Sequence, residues 1–252
     1  MPAHRPAMDM QTSGRLLAAA LLKQSLGFRD CEPEARQALA EAGHVLSLAK
    51  GEALVRRGDR FEHLLVIVDG AIESSVLHQD GRRHLLAFLG PGDIAATVSL
   101  WDGLPHLSDL IARETATRVL LVRGPAFRAL RDRFASLARA LELQMAYRSR
   151  LIYERLLVDT TMTLDVRLAR QLHLQAITSG RPQPDGVALT LQMSQADIGD
   201  WLGVSRQRAN FAVQQLKRDG LIALHYASLT IIDPPGLAER AGLGLMPKPA
   251  GS

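Results

Sequence analysis

The spacing of apolar positions changes character along the chain. Apolar residues recur at helical spacing over 14–46, and short β-rich runs separated by glycines then fill 50–122. Helical spacing returns over 125–162 and again over 166–177. A period of about 3.6 residues is typical of helices, and short runs with frequent turns are typical of antiparallel sheets. The order of these helical and β-rich segments therefore predicts an α+β protein.

The central stretch has the pattern of a small antiparallel sandwich or barrel. Gly70 and Gly81 each follow an aspartate, and Gly92 is itself followed by Asp93, so turn signals recur at short intervals. No helix of appreciable length is expected here. Between the turns we expect strands at residues 64–68, 71–77, 84–89, 94–100, 107–112 and 117–122.

The helix predicted over 125–162 carries a seven-residue repeat that suits contact with a second helix. The stripe consists of Ala138, Met145, Ser149, Ile152 and Leu156. We interpret it as a dimer seam. The alternative is a helix that packs only on its own β-domain.

The most informative segment is SQADIGDWLGVSRQRANFAVQQLKRDG, residues 194–220. Ser194 is suited to cap a helix, with Asp197 three residues later to complete a capping box. Gly203 can take the left-handed conformation of a tight turn, and Ser205 can cap a second helix. Two helices joined by a short glycine-containing turn form a helix-turn-helix, whose second helix enters the major groove of DNA.

The second helix has an apolar stripe and an opposite polar, basic face. Arginine can bind guanine, and glutamine or asparagine can bind adenine, through paired hydrogen bonds. The residues expected to read bases are Arg206, Gln207 and Asn210. The residues expected to bind phosphates are Ser205, Arg208 and Lys217. Phe211, at the border of the two faces, is expected to pack against the protein rather than contact a thymine methyl.

Two short apolar runs follow, at residues 221–224 and 229–232, separated by 225–228. They predict a β-hairpin, which is the wing of a winged helix-turn-helix domain. The alternative reading of the segment is a helical hairpin with a solvated face, and the hairpin that follows argues against it.

Composition narrows the possible functions. A single cysteine, Cys31, excludes an internal disulfide and a four-thiolate zinc site. The net charge of +4 and a pI of about 9.6 mildly favour a polyanionic partner. The early apolar run at 16–22 is interrupted by Lys23 and is too short to span a bilayer, so we expect no membrane association and a cytoplasmic location. An enzyme with a regulatory β-domain is the competing function, but no catalytic motif or metal-ligand spacing supports it.

In this order of elements the chain resembles the CRP/FNR superfamily of bacterial transcription regulators, which are similar to the cyclic-AMP receptor protein. Four motifs carry the resemblance: KGEALVRRGDRFEHLLVIVDGAI (50–72), LGPGDIAATVSLWDG (89–103), LDVRLARQL (164–172) and SQADIGDWLGVSRQRANFAVQQLKRDGLI (194–222). The resemblance implies a cyclic-nucleotide-binding-like β-roll or jelly roll, a long dimerisation helix and a C-terminal winged helix. The corresponding segments are a flexible N-terminus (1–13), a sensor domain (14–124), a dimerisation helix (125–163), a DNA-binding domain (164–235) and a tail (236–252).

The resemblance also implies a mode of action. Proteins of this superfamily form homodimers, bind pseudo-palindromic DNA, and respond to an effector that shifts the population of DNA-competent dimers. RNA polymerase is a further partner that the resemblance implies. Leu164 and Asp165 match the hinge before the DNA-binding domain. Arg206 and Gln207 match two base-reading positions, although the family often has Glu at the second and an arginine at the position of Phe211.

The effector site departs further from the cyclic-nucleotide binders. They have Gly-Glu where this chain has Ala96 and Thr97, and an Arg-Ser or Arg-Thr pair where it reads Pro-His-Leu-Ser over 105–108. The Thr-Ser pair that contacts adenine is replaced by Ile152 and Tyr153. These losses argue against cyclic AMP. Cyclic GMP, cyclic-di-GMP, another metabolite or no effector remain open, and haem is disfavoured. The polar residues expected to line any pocket are Thr97, Ser108, Arg113 and Tyr153.

Overall fold

The computed structural model describes residues 5–158, 162–189, 193–225 and 228–242. These residues group into two compact units. One unit takes in the described residues up to Ser75 together with Leu89–Ser149, and the other takes in Val76–Phe88 and the described residues from Arg150 onwards. The predicted α+β class is confirmed, with a β-rich N-terminal part, a long helix and a C-terminal helix-turn-helix with a small sheet.

The described part of the first unit begins with helices. Helix α1 spans Arg5–Leu22, a 3₁₀ turn spans Phe28–Asp30, and α2 spans Pro33–Glu41. The expectation of a loose chain up to residue 13 is therefore wrong from Arg5 onwards. The side-chain amide of Gln11 joins α1 to the strand that contains Val45. It donates to the Val45 carbonyl at 2.7 Å and accepts from the Val45 amide at 2.9 Å.

Eight strands form two antiparallel sheets. The strands are β1 (Gly43–Leu48), β2 (Ala53–Val55), β3 (His63–Asp69), β4 (Ile72–Leu77), β5 (Arg83–Leu89), β6 (Ile94–Ala95), β7 (Asp109–Ala112) and β8 (Thr117–Arg123). The strand orders are β1-β8-β3-β6 and β2-β7-β4-β5. Two predictions need correction. The helical pattern expected up to residue 46 gives way to β1, and the strand expected over 94–100 ends at Ala95 and continues as helix α3 (Thr97–Asp102).

The core of this unit lies between the first sheet and the helices. Fully buried side chains of α1, α2 and the 3₁₀ turn meet those of β3 and β8. The largest of them are Leu22, Phe28, Leu39 and Leu64. Burial of a side chain of this size stabilises the fold by about 1.5–3 kcal/mol relative to exposure. The N-terminal helices are thus part of the domain and not an appendage.

The long helical stretch consists of two helices. Helix α4 spans Gly124–Arg133 and α5 spans Ala135–Val158. Between them Phe134 has an extended backbone, with φ −124° and ψ 97°, which cannot continue a helix. The prediction of one continuous helix from residue 125 is therefore wrong. The inner face of α5 is formed by the buried residues Leu137, Ala140 and Leu141.

The second unit contains the C-terminal helices and a third sheet. Its elements are α6 (Leu164–Ser179), β9 (Gly180–Gln183), β10 (Gly186–Leu189), α7 (Gln195–Leu202), α8 (Arg206–Arg218), β11 (Ile222–His225), β12 (Ser228–Ile231) and α9 (Pro234–Arg240). The sheet order is β11-β12-β10-β9. Helix α9 crosses the expected start of the tail at residue 236. No helix among the described residues is long and apolar enough to cross a membrane.

Candidate nucleic-acid interface

Helix α7 begins with the predicted capping box. The Ser194 hydroxyl accepts from the Asp197 amide at 3.1 Å, and the Asp197 carboxylate accepts from the Ser194 amide at 2.9 Å. Arg83 forms ion pairs with Asp197 and, at 2.7 Å, with Asp200 on the same helix. These contacts fix the N-terminal end of α7, the first helix of the motif. Helix α8 packs against α7.

The turn between the two helices depends on two glycines. Gly203 ends α7 with φ 67°, the left-handed conformation that glycine adopts without a steric cost. A side chain at Gly199 would meet the Val204 carbonyl oxygen at 2.9 Å and the Arg206 amide at 3.4 Å. Gly199 therefore permits the close approach of α7 to the start of α8.

Helix α8 divides into a buried stripe and an exposed face. Ser205 caps it, accepting from the Arg208 amide at 3.4 Å. The apolar stripe is completely buried and consists of Ala209, Ala212, Val213 and Leu216. The polar residues Ser205, Arg206, Gln207, Arg208 and Lys217 are all exposed. The helix thus presents a polar, basic surface that its own domain does not cover.

Asn210 differs from the other predicted base-reading residues. It is half-buried, and its Oδ1 accepts from the side-chain amides of Gln195 at 3.0 Å and Gln214 at 3.4 Å. Reading adenine through paired hydrogen bonds needs both the oxygen and the nitrogen of an asparagine amide. The Gln195 contact, on α7, was not foreseen because no spacing rule within α8 indicates a partner on the preceding helix.

Phe211 does not pack as the sequence predicted, because 67% of its surface is exposed. At about 100° per residue, the direction opposite the buried stripe falls among Gln207, Phe211, Gln214 and Arg218. Phe211 therefore lies near the middle of the exposed face and not at its border. The exposure of Phe211 could therefore have been predicted from the spacing of the four apolar residues of the buried stripe.

The four residues expected to line an effector pocket have different surroundings. Thr97 is buried at the first position of α3, and Ser108 is buried with its hydroxyl 2.8 Å from that of Ser74. Arg113 donates to Glu73, a carboxylate that is 1% exposed, at 3.1 Å. Tyr153, on α5, is 66% exposed. Among the described residues, no three His, Cys, Asp or Glu side chains are grouped so as to hold a metal ion.

The backbone next to Thr97 has an unusual conformation. Ala96 has φ 60° and ψ 21°, in the left-handed region where glycine is the usual residue. It occupies the position that is glycine in cyclic-nucleotide binders of the family that the sequence resembles. The backbone conformation suited to glycine is thus retained at Ala96, whereas Thr97 provides no carboxylate at the next position.

The predicted seam lies on the exposed side of α5. Ile152 is 59% exposed, Ser149 is exposed, and Ala138 and Met145 are half-buried. The side chain of Leu156 lies outside the described residues.

The predicted hinge residues are at the start of α6. Leu164 is half-buried, and the Asp165 carboxylate accepts from Arg240 of α9 at 2.8 Å. Burial raises the pKa of Asp165, but hydrogen bonds from Thr163 and Arg240 outweigh it, and the net pKa is below its ordinary value. Asp165 is therefore ionised at neutral pH and ties α6 to α9 within the C-terminal unit.

Comparison with known proteins gives matches in both parts of the chain. A cyclic nucleotide-binding domain matches residues 45–134, and a Crp-like helix-turn-helix domain matches residues 166–240. The CRP-like cAMP-activated global transcriptional regulator of Mycobacterium tuberculosis is 26% identical over 214 residues, covering 85% of this chain and 95% of that protein. The cAMP-activated global transcriptional regulator CRP of Escherichia coli O157:H7 is 25% identical over 191 residues, covering 75% of this chain and 89% of that protein.

A solved structure agrees with these matches. FixK2 from Bradyrhizobium japonicum has a TM-score of 0.68 at 25% identity, with 78% of this chain and 96% of that chain covered. Both domain matches, the exposed polar face of α8 and the wing formed by β11 and β12 point to the same class. The protein belongs to the CRP/FNR family and is a DNA-binding transcription regulator, a class without enzymatic activity.

Proposed function

We propose that this regulator binds a pseudo-palindromic operator as a homodimer, with α8 of each protomer in the major groove. The observation that carries the proposal is the division of α8. One side is an apolar stripe with no exposed surface, and the other is polar, basic and exposed from its first turn. Helix-turn-helix proteins place the N-terminal residues of this helix at the base edges.

The exposed polar residues of α8 and its cap divide between those that read bases and those that bind the DNA backbone. Arg206 and Gln207 are proposed to read bases, because a guanidinium suits guanine and a side-chain amide suits adenine. Ser205, Arg208 and Lys217 are proposed to bind phosphates, which fix the register without reading sequence. Asn210 is proposed to contribute less to base reading, because the hydrogen bonds that its Oδ1 accepts from Gln195 and Gln214 compete with adenine.

The homodimer is proposed to form along α5. CRP-family regulators bind DNA as dimers, and exposed apolar surface on α5 supports the same arrangement here. Among the described side chains, the exposed apolar ones on or beside the predicted stripe are Ile152 and Tyr153. A two-fold dimer of this type places its recognition helices about 34 Å apart, in successive major grooves. RNA polymerase, bound next to the operator in the cytoplasm, is the further partner that we propose.

The effector is proposed to be a molecule other than cyclic AMP. Thr97 stands where cyclic-nucleotide binders of the family have a glutamate, and Arg113 is already paired with the buried carboxylate of Glu73. Binding of a cyclic phosphate requires an arginine that can turn towards it, and turning Arg113 would break its ion pair with the buried Glu73 carboxylate. The second candidate is a cyclic-nucleotide-responsive regulator, favoured by the domain match and by relatives named as cAMP-activated.

Two experiments test this function. Selection of bound duplexes from a random pool should yield a palindromic sequence with half-sites one helical turn apart. Recovery of random sequences alone would refute specific DNA binding. Calorimetry with cyclic AMP, cyclic GMP and cyclic-di-GMP tests the effector, and stoichiometric binding of cyclic AMP at micromolar concentration would overturn the proposal. Mass spectrometry of the purified protein would reveal a retained metabolite or haem.

A further inference from the structure

We infer that Phe211 reads the 5-methyl group of one thymine in each half-site of the operator. The inference rests on the proposed function, because it assumes that α8 lies in the major groove. It replaces the expected packing role of Phe211 with a direct role in sequence preference.

The exposure of Phe211 is the first observation that supports this inference. Among the described residues 193–225 it is the one large apolar side chain that is exposed, with 67% of its surface accessible. The buried stripe of the same helix is complete without it. A phenylalanine in this position adds little to the packing of the domain, and its contact with water is unfavourable.

Its direction is the second observation. Phe211 follows Gln207 by four residues and precedes Gln214 by three, so the three side chains are neighbours along one face of α8. Gln207 and Gln214 are both exposed. Any surface that receives Gln207 must therefore also receive the phenyl ring.

The chemistry of the major groove selects the partner. A phenyl ring cannot hydrogen-bond to the edges of guanine, adenine or cytosine, and the apolar group that the groove offers is the C5-methyl of thymine. A protein partner for this ring is less well supported, because its neighbours are amides and a cation, Arg218, rather than other apolar side chains. Protein interfaces usually place apolar side chains together at their centre.

Replacement of thymine by deoxyuridine tests the inference, because it removes only the methyl group. Each thymine of the selected operator is replaced in turn in both half-sites, and the affinities of the wild type, Phe211→Ala and Phe211→Leu are measured by fluorescence anisotropy. At one thymine the wild type should lose about fourfold in affinity per half-site, the equivalent of one buried methyl. Phe211→Ala should be insensitive to the same replacement, and Phe211→Leu should keep part of the effect.

The outcomes separate this inference from the proposed function. If deoxyuridine affects the wild type and Phe211→Ala equally at every position, or if the half-site holds no thymine, the inference is wrong while specific binding stands. A changed oligomeric state of Phe211→Ala without DNA, with unchanged base preference, would assign the ring to a protein contact and also overturn it. Loss of all sequence preference in the wild type would refute the proposed function itself.

Discussion

Asp93 shows how one residue couples the fold to pH. It lies in the turn before β6, where its carboxylate accepts from the Gly90 amide at 2.7 Å. Burial raises the pKa of Asp93 to about 6, against the opposing effects of the Gly90 hydrogen bond and the charge of Arg148. The neighbouring Tyr147 also has a raised pKa, because of burial and of the Asp93 charge. The folded state therefore binds the Asp93 proton more tightly than the unfolded state.

The sign of the resulting pH dependence follows from linkage. Between about pH 4 and pH 6 unfolding releases the Asp93 proton, so raising the pH through this window destabilises the protein. We predict that Asp93→Asn gains stability relative to the wild type as pH rises through it, by about 1–3 kcal/mol. Urea unfolding of both proteins below and above the window measures the difference. A constant difference at all pH values would contradict the prediction.

Single residues could be predicted from the sequence where their role depends only on neighbours within one turn of the chain. Both caps, Ser194 and Ser205, and the left-handed Gly203 follow from rules about single turns, and the structure confirms them. The prediction that Phe211 packs against the protein is wrong, because apolar character alone does not show on which side of a helix a residue lies. Asn210 needed knowledge of Gln195 on another helix, and no local rule supplies that contact.

At the scale of the element, the two helices of the motif are capped with different strength. The Ser194 cap has two reciprocal hydrogen bonds, at 3.1 and 2.9 Å, whereas Ser205 has one at 3.4 Å. We predict that Ser194→Ala lowers the free energy of unfolding by about 1–2 kcal/mol, and that Ser205→Ala lowers it by about 0.5 kcal/mol. Chemical denaturation of the two variants makes the comparison. A larger loss in Ser205→Ala would contradict this ranking.

Elements were predicted well where periodicity alone decides them. The strands β3, β4, β5 and β8 and the helix α8 lie close to where the patterns placed them. The break at Phe134 and the change from strand to helix after Ala95 were missed, because both depend on the backbone conformation of a single residue. Alanine in the left-handed conformation at residue 96 has no signature in a single sequence.

At the scale of the whole molecule, the account requires a dimer through α5. Ile152 is 59% exposed on the proposed seam, and Leu104, in the loop after α3 and outside the predicted stripe, is 61% exposed. We predict that Ile152→Glu weakens self-association at least tenfold, because each seam would bury two like charges. The matched control Leu104→Glu should leave association unchanged. Analytical ultracentrifugation gives both results, and a dimer of undiminished strength in Ile152→Glu would remove the seam from the account.

The order of the domains could be predicted from the sequence, whereas the effector could not. The order of the domains follows from the order of helical and β-rich segments along the chain and from the motifs of the DNA-binding segment. An effector is selected by a few side chains in a particular arrangement, and Thr97, Ser108 and Arg113 each turned out to be buried or paired within the protein. Their surroundings could not be derived from residue type alone.

The most direct measurement is the base preference of Arg206→Ala, compared with that of Lys217→Ala, on the selected operator. The account predicts that Arg206→Ala binds the cognate half-site about 1–3 kcal/mol more weakly and no longer discriminates at one base position. Lys217→Ala should weaken all sequences alike and lower the salt dependence by about one counterion per half-site. If Arg206→Ala retained the full wild-type preference at every base pair, α8 would not be the reading helix and the central claim would be contradicted.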